Sequence, residues 1–232
     1  MYVKLAEIYD AAHSFIDYRK STAYLVGNIR SRASSARSLL ELACGTGRYL
    51  ELLSAEFEVE GFDLSCEMLA KAKERLPAVP LHHGDMTSFS LDRRYDVVCC
   101  LFRSIAYVRT TENLAKAVQS MANHLSPGGL LMIEPFFTPE TYWVNRVTLN
   151  EYKTDDLKIA WMYVSEKTAE GACLRTHYLV GRPTGVVHFV ESHELGLFSR
   201  DDFSRAFSAA GLSLEYDPVG PVGVGMYFGR KA

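Results

Sequence analysis

The sequence predicts an α/β fold: a mainly parallel sheet with helices on both faces, an inserted antiparallel β meander and an N-terminal helical cap. Three observations predict it. From Ser38 to Pro135 short apolar runs alternate with stretches whose apolar residues recur at helical spacing. Between about Tyr142 and Phe198 the texture changes to β-branched and aromatic alternation. After Phe198 a helical pattern and two short apolar runs return. The expected organisation is a cap over 1–37, an α/β core over 38–141 and 199–232, and a β lobe over 142–198.

The elements follow in order. A tyrosine-rich segment precedes a helical stretch, "STAYLVGNIRSRA". The runs "SLLELA", "EVEGFDL", "PLHHGD", "YDVVCCLF" and "GLLMIEP" read as strands, and "GRYLELLSAEF", "CEMLAKAKERL" and "TENLAKAVQSMANHL" as the helices between them. The last of these helices is expected to stop at "SPGG", Ser126–Gly129, where proline and glycines block continuation. In the meander, "LKIAWMYVSEKTAEGACLRTHYLV" and "GVVHFVESHELGLF" are strands joined by turns at "AEGA" and "RPTG". "SRDDFSRAFSAAGL" opens with a serine cap and acids in its first turn and ends at Gly211, as a final helix should. "SLEYDP" and "GMYFGRK" then close the sheet around a Gly/Pro-rich turn.

Composition narrows the function. With 232 residues and 48% apolar content the chain can bury a sizeable core as one soluble unit. A formal charge of −3 supplies no broad basic field, so nucleic acid is not an expected partner. The five cysteines (Cys44, Cys66, Cys99, Cys100, Cys173) lie in apolar or helical runs without metal-cage or disulfide spacing, and read as reduced packing residues with no metal site. There is neither a leader-like start nor an apolar run of bilayer length, so a cytoplasmic protein without membrane contact is expected.

The chemistry starts at "LLELACGTGRYLELL", Leu39–Leu53. A parallel α/β sheet binds ligands beyond the carboxyl ends of its strands, where the strand order reverses. Gly45 and Gly47 let the backbone come against a ligand, and the following helix presents free N–H groups. The dinucleotide pattern is incomplete, because Leu50 stands where a third glycine would permit close helix packing, which disfavours a pyrophosphate. The next strand ends in Asp63, a carboxylate suited to two ribose hydroxyls, and a third ends in "GDM", where Asp85 can accept from an adenine amino group. Each piece alone also has a packing or capping reading; their order at the ends of successive strands favours a ligand.

"ELACGTGRYL", "GFDLS", "GDM" and "SPGGLLMIEP" together resemble the class I S-adenosylmethionine-dependent methyltransferases, with their Rossmann-like sheet. The resemblance implies S-adenosylmethionine as cofactor. Glu41 would face its ammonium, Ala43, Cys44, Gly45 and Gly47 would pass under it, and Asp63 would bind its ribose. Leu64 and Met68 would lie beside that ribose carboxylate, Asp85 and Met86 would bracket the adenine with Phe102 packed on it, and Tyr9 and Tyr18 would close from the N-terminal side. Further motifs, "AEIYD", "DMTSFSL", "SIAYV", "EPFFTPETY", "THYLV", "ESHELGLF" and "AAGLSLEY", resemble the subgroup that methylates the amino group of dTDP-linked deoxyaminosugars in antibiotic pathways. That similarity runs nearly end to end, and implies a small-molecule nucleotide-sugar substrate.

Methyl transfer from a sulfonium is an in-line displacement and needs little acid–base apparatus, but an amine acceptor must be neutral and oriented. Tyr107, after the fourth strand, is the candidate for that role, with Tyr2 or Tyr9 closing over the site. Phe136 and Phe137 are expected to line the acceptor pocket. Arg175, whose planar fork suits a phosphate, Tyr178 and His193 reach it from the meander. One departure stands out: the subgroup carries an arginine in a "GPSGRG"-like turn where this chain has "GPVGVGMYF", with Val224 at that place, and Arg103 is the candidate replacement. Other readings share these residues. One is an N- or O-methyltransferase of amino acids, peptide termini or phenols; another is a nucleotide-binding, dehydrogenase-like protein. A homodimer stays open. Base methylation is disfavoured, because "LFRSIAY" lacks the Asn/Asp-Pro-Pro-aromatic corner and no Pro-Cys pair occurs.

Overall fold

The computed structural model describes residues 5–232. The chain enters through α1 (Tyr9–Ala12) and α2 (Tyr18–Arg32), the latter capped by Asp17, which accepts the Lys20 N–H at 2.9 Å. It then builds β1 (Ser38–Leu42), α3 (Arg48–Leu53), β2 (Glu58–Asp63), α4 (Cys66–Arg75), β3 (Leu81–His83), β4 (Tyr95–Cys100), a 3-10 turn over Ser104–Val108, α5 (Thr111–Asn123) and β5 (Leu125–Ile133). The meander follows as β6 (Val147–Lys153), β7 (Lys158–Thr168), β8 (Gly171–Arg182) and β9 (Gly185–Leu195), and α6 (Arg200–Ala209), β10 (Glu215–Asp217) and β11 (Met226–Arg230) complete the main sheet.

The main sheet runs β10-β11-β5-β4-β1-β2-β3. Strands β1 to β5 pair in parallel and β10 and β11 antiparallel. From β1 the chain steps outward to β3 and then returns to the far side of β1 as β4, so the order reverses between β1 and β4. Side-chain alternation divides the core. Leu40, Leu42, Val98 and Cys100 face α5 and α6 through Leu114, Val118, Phe203 and Phe207. Leu39, Val97 and Cys99 face α2 and α3 through Leu25, Ile29, Leu50 and Leu53. Because both faces are covered, the strands read as continuous apolar runs.

A glycine does permit close packing of α3, but on the sheet rather than on the helix. A Cβ on Gly61 of β2 would fall 2.7 Å from Leu50 Cδ1 and 2.9 Å from Cys44 Sγ, so Leu50 seats where that Cβ would stand.

Two element boundaries and one cysteine differ from expectation. Helix α5 ends at Asn123, before "SPGG", because β5 already starts at Leu125, opposite Tyr95; the four residues form an irregularity within β5, and regular register resumes with Val97 opposite Leu130. Strand β6 adds an edge to the meander. Its Asn, Glu and Lys interrupt the strand-forming Val, Thr and Tyr and hid it. Cys66 is exposed on α4, unlike the buried Cys44, Cys99 and Cys100. The N-terminal stretch also divides: Leu25 and Ile29 belong to the sheet's own helical layer, whereas Leu5, Ile8 and Ala12 pack on Ile159, Trp161 and Tyr178 of the meander. Among the described residues no helix is long and apolar enough to cross a membrane.

Candidate active site

Beyond the β1 end the backbone turns sharply, with Ala43 at φ 54° and Gly45 at φ 57°. Asp63, half-buried at the end of β2, accepts the Gly45 N–H at 2.8 Å on one oxygen and the Ser65 N–H at 2.8 Å on the other. Each carboxylate oxygen thereby keeps acceptor capacity for a hydroxyl. Burial raises the Asp63 pKa, and these N–H groups pull it back. The corner is clamped from outside: the Thr46 hydroxyl donates to Asp10 at 2.6 Å, and Arg75 bonds both Asp10 and the Thr46 carbonyl. Asp10 and Arg75 are functional supports that motif reading missed; the "AEIYD" segment held the first.

Above this corner lies a cavity of about 370 Å³, within the range of small-ligand sites. Of the residues assigned to the cofactor, Tyr9, Ala43, Gly45, Asp63, Leu64, Met68, Asp85 and Met86 line it, and so does Tyr107. A Cβ on Gly45 would meet no protein atom within 4 Å, which leaves that face open to a ligand. Asp85 is anchored through one oxygen by the Thr87 N–H and hydroxyl, both at 2.8 Å. Phe62, Gly84, Ser104 and Val108 also contribute, and follow from the quoted strand ends and "SIAYV"; Thr87 comes from "DMTSFSL", and Asn113, on α5, was not signalled.

Other assigned residues lie elsewhere. Gly47 caps α3 and packs on α4, where its Cβ would sit 3.3 Å from Ala72, so its glycine serves packing. Cys44 is a buried packing thiol, its pKa pushed well up by burial and then by Glu41. Tyr18 packs edge-on against Tyr49 at 5.0 Å, its phenol pushed up to about 12 by burial. Phe102 does not reach the Asp85 end of the cavity; it meets the His13 ring at 5.7 Å. Tyr2 lies outside the described residues.

Glu41 tests the fit of the cofactor. It is 2% exposed, and its Oε2 has no hydrogen-bond partner among the described residues. Burial, then the Asp63 charge, push its pKa well above the carboxylate range, opposed by the Leu50 N–H. Glu41 does not itself line the cavity, but a buried carboxylate with one unpaired oxygen is what an ammonium completes, so Glu41 fits S-adenosylmethionine beside Gly45, Asp63 and Asp85, which do line it.

On the acceptor side Tyr107 bonds the buried His193 at 3.0 Å, and Tyr178 stacks on Phe189 beneath the N-terminal segment. Phe102 and Arg103 take left-handed backbone angles, φ 53° and 62°. Glu134, fully buried, holds this turn by accepting the Phe102 N–H at 2.9 Å. Arg103 extends towards Glu134, 4.0 Å away, and lies over the Phe137 ring. Arg175 is exposed, on the opposite face of β8 from Tyr178, and lines neither the cavity above the corner nor the one beside Phe136. Phe136, Phe137 and Val224 line a second cavity of about 530 Å³. Its cation among the described residues is Arg200, not Arg103.

This fold and corner define a class I S-adenosylmethionine-dependent methyltransferase. Residues 39–129 match the family profile "Methyltransferase domain". The chain is 39% identical over 97% of its length, and 90% of the relative's, to a dTDP-3-amino-3,6-dideoxy-alpha-D-glucopyranose N,N-dimethyltransferase of Streptomyces fradiae. It is 37% identical, over 97% and 92% of the two chains, to a dTDP-4-amino-2,3,4,6-tetradeoxy-D-glucose N,N-dimethyltransferase of Saccharopolyspora spinosa. The solved structure of SAM-bound CalS10, an amino pentose methyltransferase from Micromonospora echinaspora, superimposes with a TM-score of 0.89 at 32% identity, covering 97% of each chain. The chain belongs to the dTDP-aminosugar N,N-dimethyltransferase family, which sets aside the dehydrogenase-like reading.

If Glu41 receives the cofactor's ammonium, binding takes off the proton that burial holds on it. Affinity then rises as pH rises through the elevated Glu41 pKa and falls below it. Calorimetric titrations with S-adenosylmethionine in buffers of different ionisation enthalpy should show proton release, and Glu41→Gln should abolish it while weakening binding roughly 10- to 100-fold. Equal heats in all buffers would remove Glu41 from this role.

Proposed function

We propose that this chain methylates the amino group of a dTDP-linked deoxyaminosugar in secondary metabolism. The observation that carries the reading is a shared support for the two cavities: Tyr107, which lines the first, and Phe136 and Phe137, which line the second, pack against one buried cluster of Ala106, Tyr142, Ala172 and Leu195. The cofactor would supply an electrophilic sulfonium methyl. Asp63, Glu41 and Asp85 hold it, Tyr107 presents a phenol oxygen to the neutral amine, and the packed aromatics exclude water. The relatives' names support the substrate class. They place the amine at different sugar carbons, so kinship supports the class rather than one sugar.

Arg200 takes over the phosphate role that Val224 leaves. Its guanidinium lies 4.5 Å over the Tyr216 ring and lines the same cavity as Val224, and an arginine fork can bond two phosphate oxygens. In a mass-shift assay across amino-sugar nucleotides and free amines, a nucleotide sugar should be methylated, and Arg200→Ala should raise its KM roughly tenfold or more with cofactor affinity unchanged. Efficient methylation of a free amine with every nucleotide sugar inert would overturn the substrate and favour the small-molecule alternative. Full kcat in Tyr107→Phe would remove that tyrosine from the chemistry.

The homodimer reading gains support from the outer face of the meander. Val147, Leu149, Met162, Val164, Leu179 and Val190 fall on that one face by register, and all are at least 41% exposed. A patch of this kind suits face-to-face packing of two copies. Sedimentation of the wild type should give twice the chain mass, and Met162→Asp with Val164→Asp half of it; a monomeric wild type would end the proposal.

A further inference from the structure

His193 and Tyr107 are 86 residues apart, yet form one built pair. The Tyr107 hydroxyl lies 3.0 Å from His193 Nδ1, and the two rings cross at 75° with centroids 6.0 Å apart. The backbones behind both are locked. The Gly196 N–H donates to the Ala106 carbonyl at 2.8 Å, and Leu195 and Ala172 pack on Ala106. His193 sits on the inner face of β9 and is 7% exposed, whereas Tyr107 reaches the cofactor cavity. His193, unlike the exposed Arg175, thus joins the meander to a residue of the site.

The state of the imidazole limits what the pair can do. Burial, then the nearby His13, pushes the His193 pKa down to about 4. The ring is neutral at working pH and too weak a base to keep a proton from an alkylammonium. Its capacity is to fix a direction. A phenol hydroxyl rotates about its C–O bond, and a partner that takes its hydrogen leaves the oxygen lone pairs to face elsewhere. An amine N–H held by that oxygen has its own lone pair constrained, and in-line displacement is sensitive to that angle.

We propose that His193 is a positioning residue for methyl transfer: its Nδ1 accepts the Tyr107 O–H, so that the phenol oxygen is presented as an acceptor to the substrate amine. This rests on the assignment of Tyr107 as the amine-orienting residue. His193 then acts through Tyr107 and not on substrate or cofactor, which replaces its expected role in substrate binding.

The test combines kinetics with a ligand-free readout. His193→Ala should lower kcat roughly tenfold with cofactor affinity unchanged. His193→Asn, whose amide falls where Nδ1 stood, should restore most of the loss, and His193→Gln should not. In the Tyr107→Phe background, His193→Ala should cost nothing further, because pairs acting as one unit are not additive. In the ligand-free protein, imidazole ¹⁵N spectra should show a neutral, Nε2-protonated His193 whose Nδ1 signal moves in Tyr107→Phe. Wild-type kcat in His193→Ala, losses that multiply with Tyr107→Phe, or an unmoved Nδ1 signal would each overturn the inference. Full kcat in Tyr107→Phe would instead sink the assignment on which it rests.

Discussion

The Asp63 carboxylate takes one backbone N–H from the corner after β1 and another from the turn after β2. Those two bonds hold neighbouring strand ends at one spacing, and much of the site is measured from them. They keep Gly45 open above the cavity, fix the turn that starts α4 at Ser65, and leave both carboxylate oxygens able to accept from a ribose. The desolvation that raises the Asp63 pKa is balanced by the N–H groups that orient it. Burial and the Asp63 charge elevate Glu41 as well, so the protein carries one acid bonded at both oxygens and one with an unpaired oxygen among the described residues. The unsatisfied one has a use only when a cation arrives.

A second constraint governs the acceptor end. Two successive non-glycine residues, Phe102 and Arg103, sit in the left-handed region, which costs on the order of 1–3 kcal/mol each and persists only when surroundings enforce it. Glu134 does so from the end of β5. The turn it holds launches the Ser104–Val108 segment, which puts Tyr107 at the cavity and Ala106 under the meander. Backbone strain at the end of β4 is thus tied to the placement of Tyr107 at the cavity.

The alternation of periods made the α/β core and the meander legible, because a sheet covered on both faces must be apolar throughout. The acids at strand ends were legible for a similar reason: topology puts every such residue on one side. What stayed hidden depended on packing between distant segments. Leu50 broke the glycine pattern, yet Gly61 across the sheet supplies the close approach. Gly47 looked like ligand backbone and serves α4. The pleat of β8 turns Arg175 away from Tyr178, and strand register alone reveals which parity faces inward. The Val224 departure was visible, but the cation that shares its cavity, Arg200, belongs to a helix start that reads as a simple cap.

The central claim is that the carboxylate joining the β1 and β2 corners holds the methyl donor. Equilibrium dialysis of S-adenosylmethionine against wild-type and Asp63→Ala protein tests it directly, with far-UV circular dichroism to confirm the fold. The account predicts a loss of affinity of roughly 100-fold or more in a variant of unchanged secondary structure, since two hydroxyl contacts and the Gly45 anchor go together. Wild-type affinity in that variant would contradict it.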